Sequence, residues 1–316
     1  MKLHGLARVK NEGDVIEEFV RHNLSYLDAL TVVDNASFDG TLPVLEALRA
    51  EGLAVTILHD PLLPKRQYET VTRVARQSAA ESDWDFLFLL DADEFVKVTD
   101  RNALEGSLAA LSPGQNGRLS WLTYVPTPRD PADVPRVLER IRHRRLVEAS
   151  PAYTKCVLSR GYAQRGDFAI SQGNHYAFDA RGTAPSELLA DAALAHFPVR
   201  SLAQIQGKVL LGWGAYLAMG HDGVGMGMGW HQRRLFDKLE SAPAWSDDDV
   251  YEIALNYADD AGTPTDPTLT YDPLAPVPIW RYGNAAILNP MQLAAGYVRQ
   301  LAGSVARHEA TSAQQA

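Results

Sequence analysis

Two aspartates that follow a run of apolar residues are the strongest chemical signal in this sequence. Asp91 and Asp93 come directly after residues 86–90, which are all apolar, as in a strand buried on both faces of a parallel sheet. Ligands of open α/β sheets bind beyond the carboxyl ends of the strands. Alternation along an extended chain would point both carboxylates the same way. The pattern predicts a site for Mg²⁺ or Mn²⁺, which take carboxylates, water and substrate phosphates as ligands, and the alternative is turn and helix-capping chemistry.

Three further polar motifs lie at predicted element boundaries upstream of this pair. They also fit ordinary turn and capping chemistry, with Asp34 or Asp39 in that role. The motifs are Lys10-Asn11-Glu12 after a strand at 3–9, Asp34-Asn35-Ala36-Ser37-Phe38-Asp39-Gly40-Thr41 after a strand at 29–34, and Arg66-Gln67 at the start of a helix at 65–80.

Taken in order, K-N-E, D-N-x-S-x-D-G-T, R-Q and D-x-D-E-F resemble the nucleotide-sugar domain of family 2-like glycosyltransferases of the GT-A type. The resemblance is good in the N-terminal part of the chain and weaker after it. It implies a nucleotide-sugar donor, with UDP as the expected nucleotide, and Mn²⁺ or Mg²⁺ as cofactor. The resemblance gives these roles: Asn11 and Glu12 against the nucleotide or bracing its loop, Asp34 accepting from the uracil imide, Arg66 or Gln67 near the base or diphosphate, Asp93 on the metal, and Asp91 on the ribose or the metal.

The same resemblance implies a histidine as a further metal ligand. His196 lies in H-F-x-x-R-S, which is similar to an element of the D-x-D-E-F subgroup. His175 is the competing candidate, and packing inside the protein is the structural alternative for both.

An inverting transfer also needs a carboxylate base within reach of the acceptor hydroxyl. Asp167 is the candidate, with Glu187 and Asp191 as alternatives in the same part of the sequence. The E-D pair of the larger family is absent, so this assignment has no motif behind it.

Bulk properties restrict the functional classes. The chain has 316 residues and a net charge of −9, which argues against general nucleic-acid binding because phosphate contacts need a basic face. Its single cysteine, Cys156, excludes an intrachain disulfide and fits a cytoplasmic location; we expect it to be buried packing. No signal peptide or apolar run of roughly eighteen residues predicts a membrane span. Peripheral membrane contact is left open.

The alternation of elements predicts an α/β fold with a mostly parallel sheet. Strands are expected at 3–9, 29–34, 53–59 and 85–90, helices at 13–24, 41–51, 65–80 and 101–111, and a second cluster of short strands at 154–197. The basic run 136–145 indicates a solvated face, or a site for an anionic group. The predicted domains are a GT-A catalytic domain at 1–200, a mainly helical extension at 201–305 with a Gly-rich loop at 219–229, and a disordered tail at 306–316.

The sequence therefore predicts an inverting, metal-dependent glycosyltransferase. It would move a hexose from a nucleoside-diphosphate sugar to a hydroxyl of a glycan or glycoconjugate. One alternative is a non-catalytic module that binds sugar nucleotides or glycans. Another is a sugar-nucleotide nucleotidyltransferase, although the sequence after the first strand lacks the Gly-rich phosphate loop of that class.

Overall fold

In the computed structural model, the described residues are 1–61, 67–131, 133–148, 152–217, 230–242, 244–258, 266–283 and 288–315. Side chains are described from Gln232 in the range that begins at 230, and up to Gly303 in the last range. Arg66 and the Gly-rich loop 219–229 lie outside the described residues.

Strands and helices alternate through the first hundred residues, as the apolar patterns predict. The strands are β1 (Leu3–Val9), β2 (Ala29–Asp34), β3 (Val55–His59), β4 (Phe86–Leu90), β5 (Glu94–Val98), β6 (Asn116–Thr123), β7 (His143–Arg145), β8 (Thr154–Ser159), β9 (Ala169–Ile170), β10 (Ala177–Asp179), β11 (Gly182–Thr183), β12 (Ser186–His196) and β13 (Leu269–Tyr271). The helices are α1 (Ile16–Asn23), α2 (Thr41–Ala50), α3 (Gln67–Glu81), α4 (Arg101–Ala109), α5 (Val137–Arg140), α6 (Arg160–Ala163), α7 (Leu202–Leu217), α8 (Trp230–Ser241), α9 (Asp247–Leu255) and α10 (Pro290–Gln315).

The central sheet has eight strands in the order β3-β2-β1-β4-β8-β6-β12-β5. Pairing is parallel from β3 through β2 and β1 to β4, and again between β6 and β12. Strand β8 is antiparallel to both of its neighbours, and β5 is antiparallel to β12. This mostly parallel sheet, flanked by helices and followed by a mainly helical C-terminal part, confirms the predicted fold class.

The register of the parallel strands places the predicted motifs at one edge of the sheet. Val9 pairs with Asp34, and Ala7 pairs with Leu90, so the chain leaves all three strands at nearly the same level. The apolar residues of β4 from Leu87 to Leu90 are at most 2% exposed. Each contributes roughly 1.5–3 kcal/mol by burial, which fixes the strand end from which Asp91 begins.

Strand β5 was not predicted, and it is the element that brings the two halves of the site together. It starts directly after Asp93 and pairs with the end of β12, with Glu94 opposite His196. Its sequence, Glu-Phe-Val-Lys-Val, carries two charges, so local patterning does not identify it as a buried strand. The strand forms because β12 supplies a partner about one hundred residues later in the chain.

Most of the basic run 136–145 is not a solvated face, although Arg142 is exposed. Arg145 is 1% exposed and donates to the carbonyl oxygens of Ala254 and Tyr257 at 3.0 and 2.9 Å. Arg144 donates to Asp272 at 2.7 Å. Arg145 thus joins β7 to the end of α9, where carbonyl groups at the helix end need donors, and Arg144 joins β7 to the segment that follows β13.

The C-terminal helices pack on one another and on the end of the sheet. Helix α10 lies against α7 through Leu211, Leu293 and Tyr297. It runs through Gln315, over most of the segment for which composition predicts a disordered tail; the alanines and glutamines of this segment are good helix formers. In the part of the chain that the structure describes, no helix combines the length and the apolar character needed to cross a membrane.

Candidate active site

A cavity of about 460 Å³ lies at the carboxyl edge of the sheet. The strand ends form its floor, and α7 and the start of α10 form a wall on the C-terminal side. The predicted site residues that line it are Asn11, Glu12, Gln67, Asp91, Asp93, His175 and His196. The structure thus brings together residues that are far apart in the chain.

Asp91 lies in a ring of donors on one side of the cavity. Its carboxylate accepts from Gln67 Nε2 at 3.0 Å and from Asn174 Nδ2 at 3.3 Å, and Lys155 Nζ donates to its other oxygen. Although burial opposes the charged ammonium, the carboxylates of Asp91 and Glu94 raise the pKa of Lys155 above its usual range. Asp91 is therefore held in place by polar neighbours while its side chain remains 31% exposed.

Asp93 is more deeply buried than Asp91 and faces different cations. Its Oδ2 lies 2.7 Å from Lys208 Nζ and 3.8 Å from Arg200 Nη1, and its Oδ1 lies 3.8 Å from His196 Nε2. Burial favours the neutral acid, but Lys208, His196 and Arg200 together hold the pKa of Asp93 well below its usual range. Asp93 is therefore a carboxylate at neutral pH.

Glu94 orders the loop that carries both aspartates. It is fully buried; its Oε2 accepts from the backbone N–H of Asp91 at 2.8 Å, and its Oε1 accepts from Trp121 Nε1 at 2.7 Å. Burial raises its pKa, and Lys155 Nζ at 3.1 Å opposes that effect. Glu94 therefore supports this loop from inside the protein and is not among the described residues that line the cavity.

His196 lies beside Asp93 and stacks on Trp121, with ring centroids 4.2 Å apart. Burial lowers its pKa to about 3, so the imidazole is neutral at pH 7 and able to bind a metal. Its Nδ1 is buried without a hydrogen-bond partner. His175 lies on the Asp91 side, and its Nδ1 is 2.8 Å from the carbonyl oxygen of Thr154.

The residues present fit a divalent cation chemically. Carboxylates and a neutral imidazole are ligands that Mn²⁺ accepts, and Mg²⁺ or Mn²⁺ often uses only one or two protein carboxylates beside water and phosphate. Asp93 and His196 would hold the ion, with Asp91 close by. Within the described ranges, no set of three histidine, cysteine, aspartate or glutamate side chains already has metal-holding geometry.

Asn11 and Asp34 brace the loops that follow β1 and β2. Asn11 has a φ of 54°, which asparagine tolerates better than most residues, and its Oδ1 accepts from the backbone N–H of Phe38 at 2.9 Å. The Asp34 carboxylate accepts from the backbone N–H of Ser37 at 3.2 and 3.3 Å. Asp34 is 1% exposed and is not among the described residues that line the cavity.

Arg200, which follows β12, binds Glu12 in the loop after β1. Arg200 Nη2 lies 2.6 Å from Glu12 Oε2, and its Nε lies 2.6 Å from Asp14 Oδ2. Arg200 is 1% exposed. Burial raises the pKa of Glu12, and the positive charge of Arg200 acts to lower it. These ion pairs hold the K-N-E loop close to the segment that follows His196.

The structure does not bring the predicted base to the cavity. Asp167 is exposed, in the loop before β9, and is absent from the described lining. Glu187 and Asp191 are also exposed, and Glu187 accepts from Gln115 at 3.2 Å. Glu187 lies near the start of β12 and Asp191 near its middle, while His196 lies at its end, so strand direction separates both carboxylates from the site.

Comparisons with known proteins leave the family of this chain open. No protein-family model and no curated protein matches the sequence. Among solved structures, S. aureus TarS (residues 1–349) is similar at 14% identity and a TM-score of 0.39, over 69% of this chain and 66% of that one.

Two other solved structures are similar at the same level. The mannosyltransferase PcManGT from Pyrobaculum calidifontis, in complex with GDP-Man and Mn²⁺, has 17% identity and a TM-score of 0.39, over 69% of this chain and 64% of that one. Glucosyl-3-phosphoglycerate synthase from Mycobacterium tuberculosis, with Mn²⁺ and UDP-glucose, has 18% identity and a TM-score of 0.27, over 38% and 43%. This chain therefore spans less than two thirds of the length of each of these structures.

Sequence reasoning missed the basic and aromatic residues of the cavity. Lys155 lies inside an apolar strand, and Lys208 is the single charged residue of α7. A lone charge in an apolar element is rarely buried without a partner. The sequence could therefore have indicated that both lysines lie next to acidic groups. Trp121 gave none, because an aromatic residue in a strand is ordinary.

Proposed function

We propose that this protein is an inverting, metal-dependent glycosyltransferase that moves a hexose from a UDP-sugar to a hydroxyl of a glycan or glycoconjugate. The observation that carries the proposal is the joint placement of Asp91, Asp93 and His196 in one cavity. Its volume, about 460 Å³, is within the range of sites for cofactors and small molecules. The cavity lies beyond the carboxyl ends of parallel strands, where α/β proteins bind ligands.

Residues of the cavity supply the remaining parts of such a site. Lys155, Arg200 and Lys208 provide positive charge for a diphosphate. Trp121 and Tyr153, with ring centroids 5.2 Å apart, offer aromatic faces to the C–H groups of a sugar. A bound divalent cation would neutralise charge that grows on the leaving diphosphate. The resemblance at K-N-E, D-N-x-S-x-D and D-x-D-E-F supports the nucleotide assignment.

The reaction breaks the bond between the sugar C1 and the diphosphate oxygen and forms a bond from C1 to the acceptor oxygen. The acceptor hydroxyl loses its proton to a base. Asp167 was predicted for this role, and its exposed position gives that prediction no support.

We also propose a cytoplasmic location. The single cysteine, Cys156, fits a reducing compartment, and its burial raises the pKa of the thiol to about 12.

A second candidate function is non-catalytic binding of a sugar nucleotide. One observation favours it: among the described residues, none of the three predicted base candidates lines the cavity, and Glu12 and Asp14 are engaged by Arg200. Release of UDP from a UDP-sugar in the presence of Mn²⁺ separates a transferase from a binding module. A module would bind the donor and leave it intact.

The metal assignment is tested by Asp93→Asn, which removes an anionic ligand at nearly constant volume. We expect metal-dependent UDP release to fall by about a hundredfold or more, since each 1.36 kcal/mol of lost transition-state stabilisation is a factor of ten. Asp83→Asn is the control, because Asp83 is a surface carboxylate with a 74% exposed side chain. Circular dichroism monitors folding of both variants. Turnover of Asp93→Asn close to wild type would show that the metal site is elsewhere.

A further inference from the structure

Lys208 contacts the carboxylate that a metal would use. Its Nζ lies 2.7 Å from Asp93 Oδ2 and 3.3 Å from the carbonyl oxygen of Pro198. It comes from α7, on the C-terminal side of the cavity, and is 115 positions from Asp93 in the chain. An ammonium and a divalent cation bound to the same carboxylate repel each other at such distances. Lys208 is therefore a competitor for the metal position.

Two other cations near the aspartates, Arg200 and Lys155, are each bound by two carboxylates. The Arg200 side chain is 1% exposed and is bound to both Glu12 and Asp14. The Lys155 side chain is also 1% exposed and is bound to Asp91 and Glu94. The Lys208 side chain is 25% exposed and has Asp93 as its closest carboxylate. A lysine has a flexible four-carbon stem with three donors, so Lys208 is the one of these three cations best able to move.

A diphosphate in the cavity would offer Lys208 another anionic partner. Lys208 lines the same cavity as Asp91, Asp93 and Lys155, so phosphate oxygens placed there are within reach of a side chain that turns away from Asp93. Once Lys208 binds phosphate, the Asp93 carboxylate is available to a cation. Each ligand then removes an obstacle to the other.

We propose that Lys208 and a divalent cation exchange at Asp93, with the donor diphosphate taking the lysine, so that metal and donor bind with positive cooperativity. This inference rests on the proposed function. Reciprocity requires that UDP raise the affinity for metal by the same factor by which metal raises the affinity for UDP. Lys208 is in this view a positioning residue that makes metal binding depend on the donor.

The test measures binding of Mn²⁺ to the full chain by electron paramagnetic resonance of the free ion, with and without UDP. Lys208→Met removes the charge and keeps the length of the side chain. Without UDP, we expect this variant to bind Mn²⁺ about tenfold more tightly than wild type, within the usual range of coupling factors. The enhancement of Mn²⁺ affinity by UDP should shrink by the same factor. Lys238→Met is the matched control, because Lys238 has a 2.6 Å ion pair with Asp249 elsewhere in the C-terminal helices.

The outcomes separate this inference from the proposed function. If wild type binds Mn²⁺ and UDP but Lys208→Met shows unchanged or weaker Mn²⁺ affinity without UDP, only the exchange is refuted. If wild type binds neither ligand, the metal-dependent transferase is refuted and the exchange with it. If Lys208→Met fails to fold, the wild-type protein still provides a test. An equal Mn²⁺ affinity of wild type with and without UDP would overturn the exchange, and an increase in that affinity with UDP would support it.

Discussion

The acidic and basic side chains that line the cavity are equal in number. Among the described lining residues, the acids Glu12, Asp14, Asp39, Asp91 and Asp93 are matched in number by the bases Arg8, Lys10, Lys155, Arg200 and Lys208. A diphosphate alone would therefore add uncompensated negative charge, and a divalent cation alone would add uncompensated positive charge. The two together leave the balance nearly unchanged, which is the electrostatic reason to expect both in one site.

Asp34 has two candidate roles, and a pair of substitutions separates them. If it accepts from a uracil imide, Asp34→Ala should weaken UDP binding roughly ten- to a hundredfold, since a hydrogen bond to a charged group is worth about 1.5–3 kcal/mol. Asp34→Asn keeps an oxygen that can accept from the Ser37 N–H. Calorimetry with UDP measures the affinities. Unchanged UDP affinity in both variants, with lower stability of Asp34→Ala alone, would leave Asp34 as a turn residue.

The two cavity histidines should differ in their effect on metal binding. His196 lies 3.8 Å from Asp93, whereas His175 contacts the carbonyl oxygen of Thr154 on the other side of the cavity. We expect His196→Ala to weaken Mn²⁺ binding in the presence of UDP and His175→Ala to do so less. Titration of free Mn²⁺ by electron paramagnetic resonance provides the measurement. The opposite ranking would move the ligand role to His175.

At the level of elements, the contact between α1 and β5 supports the strand that follows Asp93. His22 on α1 is 5% exposed, and its Nε2 lies 2.7 Å from the carbonyl oxygen of Val96 on β5. Asn23 reaches the same strand, donating to the carbonyl oxygen of Glu94 at 3.1 Å and accepting from Val96 N–H at 2.9 Å. Helix α1, which begins after the K-N-E motif, therefore fixes the strand that directly follows the loop with Asp91 and Asp93.

The burial of His22 predicts a pH-dependent stability. Burial lowers the pKa of His22 to about 4, from an ordinary value of 6.5. Between these values the unfolded chain binds the proton more strongly, so the stability from neutral His22 is complete above pH 6.5 and is lost as pH falls toward 4. The full effect is up to about 3 kcal/mol. Urea unfolding should show wild type losing its advantage over His22→Gln across this range, and a constant difference would contradict the assignment.

Close approach of α7 and α10 depends on a glycine. A Cβ on Gly207 would lie 2.2 Å from Leu293 Cδ1, whereas a Cβ on Gly106 in α4 would meet nothing within 4 Å. Overpacking in Gly207→Ala should cost about 1–3 kcal/mol, and the helix preference for alanine should offset up to about 1 kcal/mol of that cost. Gly106→Ala should stabilise it by up to about 1 kcal/mol, the helix preference for alanine. Thermal unfolding of both variants measures the pair. Equal effects would show that α10 does not pack closely on α7.

At the scale of the whole molecule, local patterns predicted the parallel half of the sheet and the motifs at its edge. Largely apolar stretches mark β1, β2 and β4 because most of their side chains are buried, and the ends of these strands then place Asn11 and Asp91. The pairing of β5 with β12 was beyond such reasoning, since it depends on residues a hundred positions apart. The ion pairs of Arg200 with Glu12 and of Lys208 with Asp93 span 188 and 115 positions. Long-range pairs of this kind leave no periodic trace in a sequence.

The burial of Cys156 makes this protein convenient for spectroscopic labelling. The side chain is 1% exposed inside the central sheet, and a thiol that is buried among apolar residues reacts slowly with maleimides and other alkylating reagents. A cysteine introduced on the exposed face of α8 or α4 would therefore be the one modified, with no need to remove the native residue. Pairs of such labels could report the distance between the C-terminal helices and the sheet while nucleotide and metal are added.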